Sequence, residues 1–348
     1  MMQPAGQVEA AFPWSTEVLQ ESAPDAIAML LGEEVADPHP AAASFSLKVL
    51  AGRIGSRVSN GQYLSQEPRA VALGMGSSDF AGILAASLSP VVVRRYRAMA
   101  RHLAFCGTVV VRDFRSYPVP RIDTELDLQV VGENGAVVGG MISTSGGAVA
   151  VRLSRYARAL AISRPAIVND EIDLVGAVVS SVGPTVARKE AGLVAAALEA
   201  PADLDDGQPV FGVSNTVEAA LDATALAEAA AQLLNQPLPS GGLADLDLRH
   251  LVVAPSVYLA ACKLVRDHGM EARVTVTPMV GLAAGRWYAL ADPEISPTVA
   301  VVRLERSKDP VRIEGHKRPE GADGAALLAS AEIGAGLLGR VGIVRGGV

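Results

Sequence analysis

Residues 155–200 read RYARALAISRPAIVNDEIDLVGAVVSSVGPTVARKEAGLVAAALEA. A short apolar alternation ends at the turn-like Val168-Asn169-Asp170, and the longest helical pattern of the chain follows. Ile172, Val175, Val179, Val182 and Val186 recur at three- and four-residue spacing, and Leu193 with Ala197 resume the stripe. Asn169 or Asp170 can cap the first free N–H groups, and Glu171 and Asp173 suit the positive helix end. A helix from Glu171 to Glu199 is roughly 40 Å long at about 1.5 Å per residue. Pro184 sits inside it, lacks an N–H and clashes one turn back, so a kink is expected near Gly183. A long bent helix with little chemistry on it reads as a structural spine.

The whole chain has 348 residues, 50% hydrophobic and 19% charged, which is globular composition with room for two domains or one elaborated domain. Aromatics make up only 4%, so the core is expected to be built from Ala, Val and Leu. A net charge of −7 argues against a nucleic-acid-binding domain, which needs a basic face. Arg94, Arg95, Arg97 and Arg101 cluster, but at helical spacing they read as a solvated helix face. The two cysteines, Cys106 and Cys262, lie in apolar contexts and read as buried free thiols of a reducing compartment. No signal-peptide pattern opens the chain, and no apolar run reaches the ~18 residues of a membrane span, so a soluble protein made in a cytoplasm is expected.

Before the spine, residues 1–75 are punctuated by Pro4, Pro13, Pro24, Pro38, Pro40 and Pro68. They read as an arm with short helices only, the best candidates being 25–31 and 45–54. Ser78 or Asp79 is expected to cap a second apolar helix, whose stripe runs Phe80, Ile83, Leu84, Leu88, Val91, Val92, Tyr96 and Met99. Thr108 to Val111 is a β-branched strand. From Tyr117 to Leu153 the period changes to two, with Glu133-Asn134-Gly135 as a turn signal, which predicts a long β-hairpin ribbon. Such a ribbon is an edge liability unless another chain covers it, the first sign of assembly.

After the spine come a helix from about Ala223 capped by Asp222 or Thr224, and strands at 251–253, 274–277, 287–290 and 299–304. A helix is expected over 255–265, and this mixture of short elements predicts an α+β fold.

Catalytic and ligand patterns are mostly lacking. His39, His102, His250, His268 and His316 share no metal spacing and read as surface or satisfied structural histidines. No Gly-x-Ser-x-Gly elbow and no phosphate-loop Gly-Lys pair occurs. Gly334-Ala335-Gly336-Leu337-Leu338-Gly339 matches a dinucleotide pattern, but too near the C-terminus to leave room for its helix, second strand and acidic ligand. The residues therefore predict an assembling protein and no enzyme, no cofactor and no metal.

A family resemblance follows from the order of the pieces. The capped Ser77-Ser78-Asp79-Phe80, the ribbon, Arg158 to Arg164 with Ile167-Val168-Asn169-Asp170, and the spine come first. Asp206 to Phe211, Val252 to Tyr258 and Trp287 to Pro293 complete the set. Over about residues 76–348 the chain resembles the major capsid protein of tailed bacteriophages, the Hong Kong 97 fold, in its Mu-like and prophage subfamily.

The resemblance implies an N-terminal arm at 1–75 and an extended loop at 117–155. The peripheral domain would comprise 76–116 and 156–204, with about 298–330, and the axial domain 205–297 with 331–348. It implies hexamers and pentamers that close an icosahedral shell around double-stranded DNA, held without sequence-specific binding, and no membrane. Implied partners are the chain itself, a portal, a scaffold or prohead protease, and decoration proteins; assembly would take place in the host cytoplasm. Inter-subunit contact candidates are Leu128, Val130, Glu133, Asn134, Gly135 and Val137, and the spine bend is assigned to Gly183 and Pro184.

Some relatives lock the shell with a Lys–Asn bond. The five lysines here are Lys48, Lys189, Lys263, Lys308 and Lys317, so the ribbon has none, and no such cross-link is expected. Alternative readings are an encapsulin-like nanocompartment shell and, from another class, a small-molecule enzyme using the glycine-rich C-terminal region.

Overall fold

The structure, a computed structural model, describes residues 15–30, 34–60, 67–120, 148–169, 172–204, 207–238, 242–305, 307, 309–316 and 324–347. Helices α1 (Thr16–Leu30), α2 (Leu47–Val58), α3 (Glu67–Met75) and α4 (Ser78–Met99) come first. Strands β1 (Gly107–Val111), β2 (Tyr117–Pro120), β3 (Ala148–Val151) and β4 (Ser154–Ser163) follow. Then come α5 (Arg164–Val168), α6 (Ile172–Ser180), α7 (Val182–Glu199), β5 (Thr216–Val217) and α8 (Ala223–Asn235). The rest is β6 (His250–Val253), α9 (Tyr258–Asp267), β7 (Thr275–Pro278), β8 (Trp287–Leu290), β9 (Val299–Leu304), β10 (Val311–His316), β11 (Gly324–Leu337) and β12 (Ile343–Gly346). The fold is α+β, as expected.

The chain forms two compact units. One comprises residues 1–99, 155–187 and 309–331, the other 100–154, 188–308 and 332–348. The first therefore takes in the N-terminal helices as well as 76–99, whereas 100–116 and 188–204 fall in the second.

In the first unit the segment expected as an arm supplies, among the described residues, three helices and part of the core. Leu47, Leu50, Ile54, Ala26 and Ile27 are buried, and Asp25 accepts a hydrogen bond from the His39 backbone N–H at 2.8 Å. Helices α2 and α3 touch through their backbones: a Cβ on Gly55 would overlap the Ala70 carbonyl oxygen, and one on Gly74 that of Ala51. Helix α3 was not expected, because Pro68 reads as punctuation. Pro68 instead occupies the first turn, where no N–H partner is required.

Helix α4 is capped by Ser77, not Ser78 or Asp79: the Ser77 hydroxyl accepts from the Phe80 N–H at 3.2 Å and donates to the Gly74 carbonyl. Its predicted stripe is buried from Phe80 to Tyr96, but Met99 is exposed. Within the unit, β10 pairs antiparallel with the first half of β11, from Val311↔Ala331 to His316↔Ala326, and β4 also pairs with β11.

The second unit is built on a sheet of order β5-β12-β8-β6-β7. Consecutive residues alternate between two cores, as period-two geometry requires. Tyr288, Leu290 and Val252 join Phe105, Val194, Leu198, Phe211 and Ile343 on one face. Trp287, Ala289, Leu251, Val253 and Val344 meet α8 and α9 on the other. Asp222 caps α8 by accepting from the Ala225 N–H at 2.7 Å. Strand β1 runs parallel to β9, and β9 pairs antiparallel with Gly334 to Leu337 of β11.

The glycine pattern at 334–339 thus begins as strand. A Cβ at Gly334 would overlap the Arg152 carbonyl oxygen and one at Gly336 would press on Val151 at 3.1 Å. These glycines serve close packing rather than a phosphate.

The predicted spine is two helices. It breaks at Ser181, between α6 and α7, and Pro184 lies in the first turn of α7. Val179 of the predicted stripe is buried, but within α7 the inward line falls one residue later than predicted. Gly183, Ala187, Glu190, Val194 and Leu198 are buried, while Val182, Val186, Leu193 and Ala197 are half-buried. Small residues explain the shift near the break: a Cβ on Gly183 would overlap the Val92 carbonyl oxygen and stand 2.7 Å from the Tyr96 nitrogen.

Candidate assembly surfaces

The contact candidates Leu128, Val130, Glu133, Asn134, Gly135 and Val137 lie outside the described residues. What is described is the root of their segment. Strands β2 and β3 pair antiparallel, with Tyr117 opposite Val151 and Val119 opposite Val149. Val151 and Leu153 are buried with Val111 and Val302, so the segment leaves the second unit from an anchored base.

The second unit also exposes large apolar side chains at both ends of its five-stranded sheet. Strands β6 and β7 are parallel, and β8 runs against β6. Leu259 and Val280 follow the finishing ends of β6 and β7 and are 79% and 80% exposed. At the opposite end, where β5, β6 and β12 begin, Val213 is 97% and Ile295 71% exposed, and Leu243 lies there too.

That second end is rigidly built. Asn215 donates to the Val210 carbonyl at 3.0 Å, Gln236 to that of Ile343 at 2.9 Å, and the Gln236 side-chain oxygen accepts from the Gly342 N–H at 2.7 Å.

The second unit also holds an ionic cluster that sequence reading missed. Glu190 of α7 is fully buried. Its carboxylate accepts from both terminal nitrogens of Arg303 on β9, Nη2 at 3.1 Å, and lies 2.9 Å from His102 Nε2 in the turn before β1. Burial, reinforced by the Glu190 charge, pushes the nearby Cys106 thiol far above its usual range, so it stays protonated. Burial likewise raises Tyr288, whose hydroxyl donates to the Leu198 carbonyl at 3.0 Å, with the Glu199 charge adding to the shift. Burial lowers His250 below the usual imidazole value.

None of these groups faces a cluster fit for a metal. Among the described residues no group of three or more His, Cys, Asp or Glu could hold one. No single described helix is long and apolar enough to cross a membrane.

The phage capsid protein family matches residues 147–346. No curated protein matches the chain. Among solved structures, the virus-like particle from Pyrococcus furiosus is similar at 15% identity and a TM-score of 0.46, covering 75% of this chain and 97% of that one. A phage-related protein from Bordetella bronchiseptica RB50 is similar at 12% identity and a TM-score of 0.48, over 74% and 95% of the two chains. The holo-SrpI encapsulin complex from Synechococcus elongatus PCC 7942 is similar at 10% identity and a TM-score of 0.48, over 72% and 88%.

Proposed function

The chain belongs to the phage capsid protein family, and from that premise we propose that it is the major head subunit of a tailed phage or prophage, of Hong Kong 97 type. The observation that carries the reading is the family match itself, which spans more than half of the chain. Copies assemble into hexamers and pentamers that close an icosahedral shell around double-stranded DNA. The Mu-like and prophage placement belongs to the same proposal.

Exposed apolar side chains at opposite ends of one sheet support the ring. Different patches meeting head to tail make a heterologous contact, and such contacts close into rings when the rotation permits. In this reading 205–297 with 331–348 form the axial domain that carries the patches. Residues 76–116 and 156–204, with about 298–330, form the peripheral domain, 117–155 the extended loop, and 1–75 the arm. The chain's work is structural rather than catalytic. A portal, a scaffold or prohead protease and decoration proteins complete the head, which assembles in the host cytoplasm. The acidic chain contains DNA by enclosure, without reading its sequence.

Particles purified from producing cells and treated with nuclease test the reading. Protected double-stranded DNA and a co-purifying portal are expected. Particles holding a protein cargo and no protected DNA would instead show an encapsulin-like compartment.

A further inference from the structure

Three polar side-chain atoms at one corner of the second unit's five-stranded sheet are buried without a hydrogen-bond partner: Arg345 Nε, Arg286 Nε and Thr216 Oγ1. Strand register brings them together. Arg345 on β12 stands opposite Thr216 on β5 and opposite Tyr288 on β8. Arg286 lies two residues before Tyr288 and so faces the same way, on a diagonal from Arg345 that long side chains span. The Arg345 guanidinium rests on the Phe211 ring, 4.5 Å from its centroid, and Phe211 packs against Tyr288 at 5.9 Å between centroids.

Little in the fold answers these cations. Among the described residues Arg345 forms no side-chain hydrogen bond and no ion pair. Arg286 donates from Nη1 to the Gly347 carbonyl at 3.0 Å, but its Nε lies 3.9 Å from the Glu199 carboxylate, beyond hydrogen-bond reach. Glu199 is already engaged by the Ala283 N–H at 3.2 Å. Glu218, two residues beyond Thr216, is exposed and pairs with neither arginine. Both arginine charges are felt at the Tyr288 hydroxyl, where they oppose the upward push of burial and Glu199. Two guanidinium groups against one engaged carboxylate leave one positive charge over, and all three orphaned groups can donate. A ligand that only accepts, and that carries a single negative charge, completes the set.

We propose that Arg345, Arg286 and Thr216 bind a small carboxylate anion. A planar carboxylate meets the edge of a guanidinium through two parallel bonds, and the Phe211 ring fixes the plane of the Arg345 fork. A phosphate dianion fits less well, because its second charge has only Glu199 to meet. Both Nε atoms are shut from water, so the anion arrives where the two half-buried side chains reach solvent, and the guanidinium groups tip to meet it. The site lies wholly within the second unit and stands whether or not the chain builds a shell.

Saturation-transfer NMR of acetate with the full-length chain tests the site, because the signal is read on the small ligand whatever the size of the assembly. With ionic strength held constant by sodium chloride, the acetate methyl signal is expected to saturate. Arg345→Met keeps the stem on Phe211 and should weaken binding about tenfold, the loss that goes with hydrogen bonds to a charged group. Arg345→Lys should weaken it too, since a point charge lacks the fork, and so should Thr216→Val, which removes the hydroxyl but keeps the shape. Circular dichroism shows whether each variant is folded; where Arg345→Met is not, Arg345→Lys and Thr216→Val carry the test.

A signal that never saturates, or one unchanged in the folded variants, would overturn the proposal. Displacement of acetate by phosphate dianion at a lower concentration than that of acetate itself would overturn it in favour of a phosphate site. Acetate binding to dissociated subunits but not to assembled particles would overturn it in favour of a carboxylate supplied by another copy.

Discussion

Glu190 is the residue on which the second unit's interior depends most. A fully buried carboxylate is tolerated because Arg303 and His102 satisfy it. Removing one partner of such a cluster strands the other in a low-dielectric interior. Glu190→Gln should therefore cost about 3–5 kcal/mol in urea unfolding. The apolar exchange Glu190→Leu with Arg303→Met should recover a good part of that, since neither charge is then left unpaired. Equal losses in the two variants would show that packing, not charge, is at stake. Gly183 acts by absence: its missing Cβ lets the α4 backbone approach, so Gly183→Ala should cost about 1–3 kcal/mol by overpacking, read from the same unfolding curves. The Glu190 cluster was not legible beforehand, because its partners lie 88 and 113 residues away. The one available signal was a carboxylate in line with the buried Ala187, Val194 and Leu198.

At the scale of elements, Pro184 organises the spine. In a continuous helix its ring would meet the Ser180 carbonyl and leave that group without its N–H donor. The break falls at Ser181, where the Ser181 hydroxyl donates to the Val178 carbonyl, and the Thr185 N–H and hydroxyl both donate to the Ser181 carbonyl. We propose that the break matches subunit curvature. Pro184→Ala should then alter particle size or yield in electron micrographs more than it alters subunit solubility; particles of normal size and yield would remove the idea. The elements legible in the sequence were those with a strong period: α4 before Met99, the Asp222 cap, and the strands at 250–253, 287–290 and 299–304. Those that were not depended on tertiary contact. Helix α3 is held by backbone packing against Gly55, a feature with no hydrophobic period, and the inward face at the start of α7 is set by Gly183 and Ala187 rather than by Val182 and Val186.

For the whole molecule, the features that call for neighbours are the anchored root at β2 and β3 and the exposed apolar side chains at both ends of the second unit's sheet. Burying a patch centred on Val213 or Val280 against another copy is favourable at roughly 25 cal/mol per Å² of apolar surface. Polar replacement at both ends should therefore reduce assembly without unfolding the unit. The family was legible in the order of short motifs, whereas the contact residues of segment 121–147 lie outside the described structure and remain proposals. Because the lysines are confined to Lys48, Lys189, Lys263, Lys308 and Lys317, mature particles boiled with reductant should run as a single subunit band; a ladder of multimers would contradict this. The most direct test of shell formation is sedimentation velocity of the purified chain under native conditions. The account predicts rings or closed particles many subunits in size, and a compact monomer or dimer at all concentrations would contradict it.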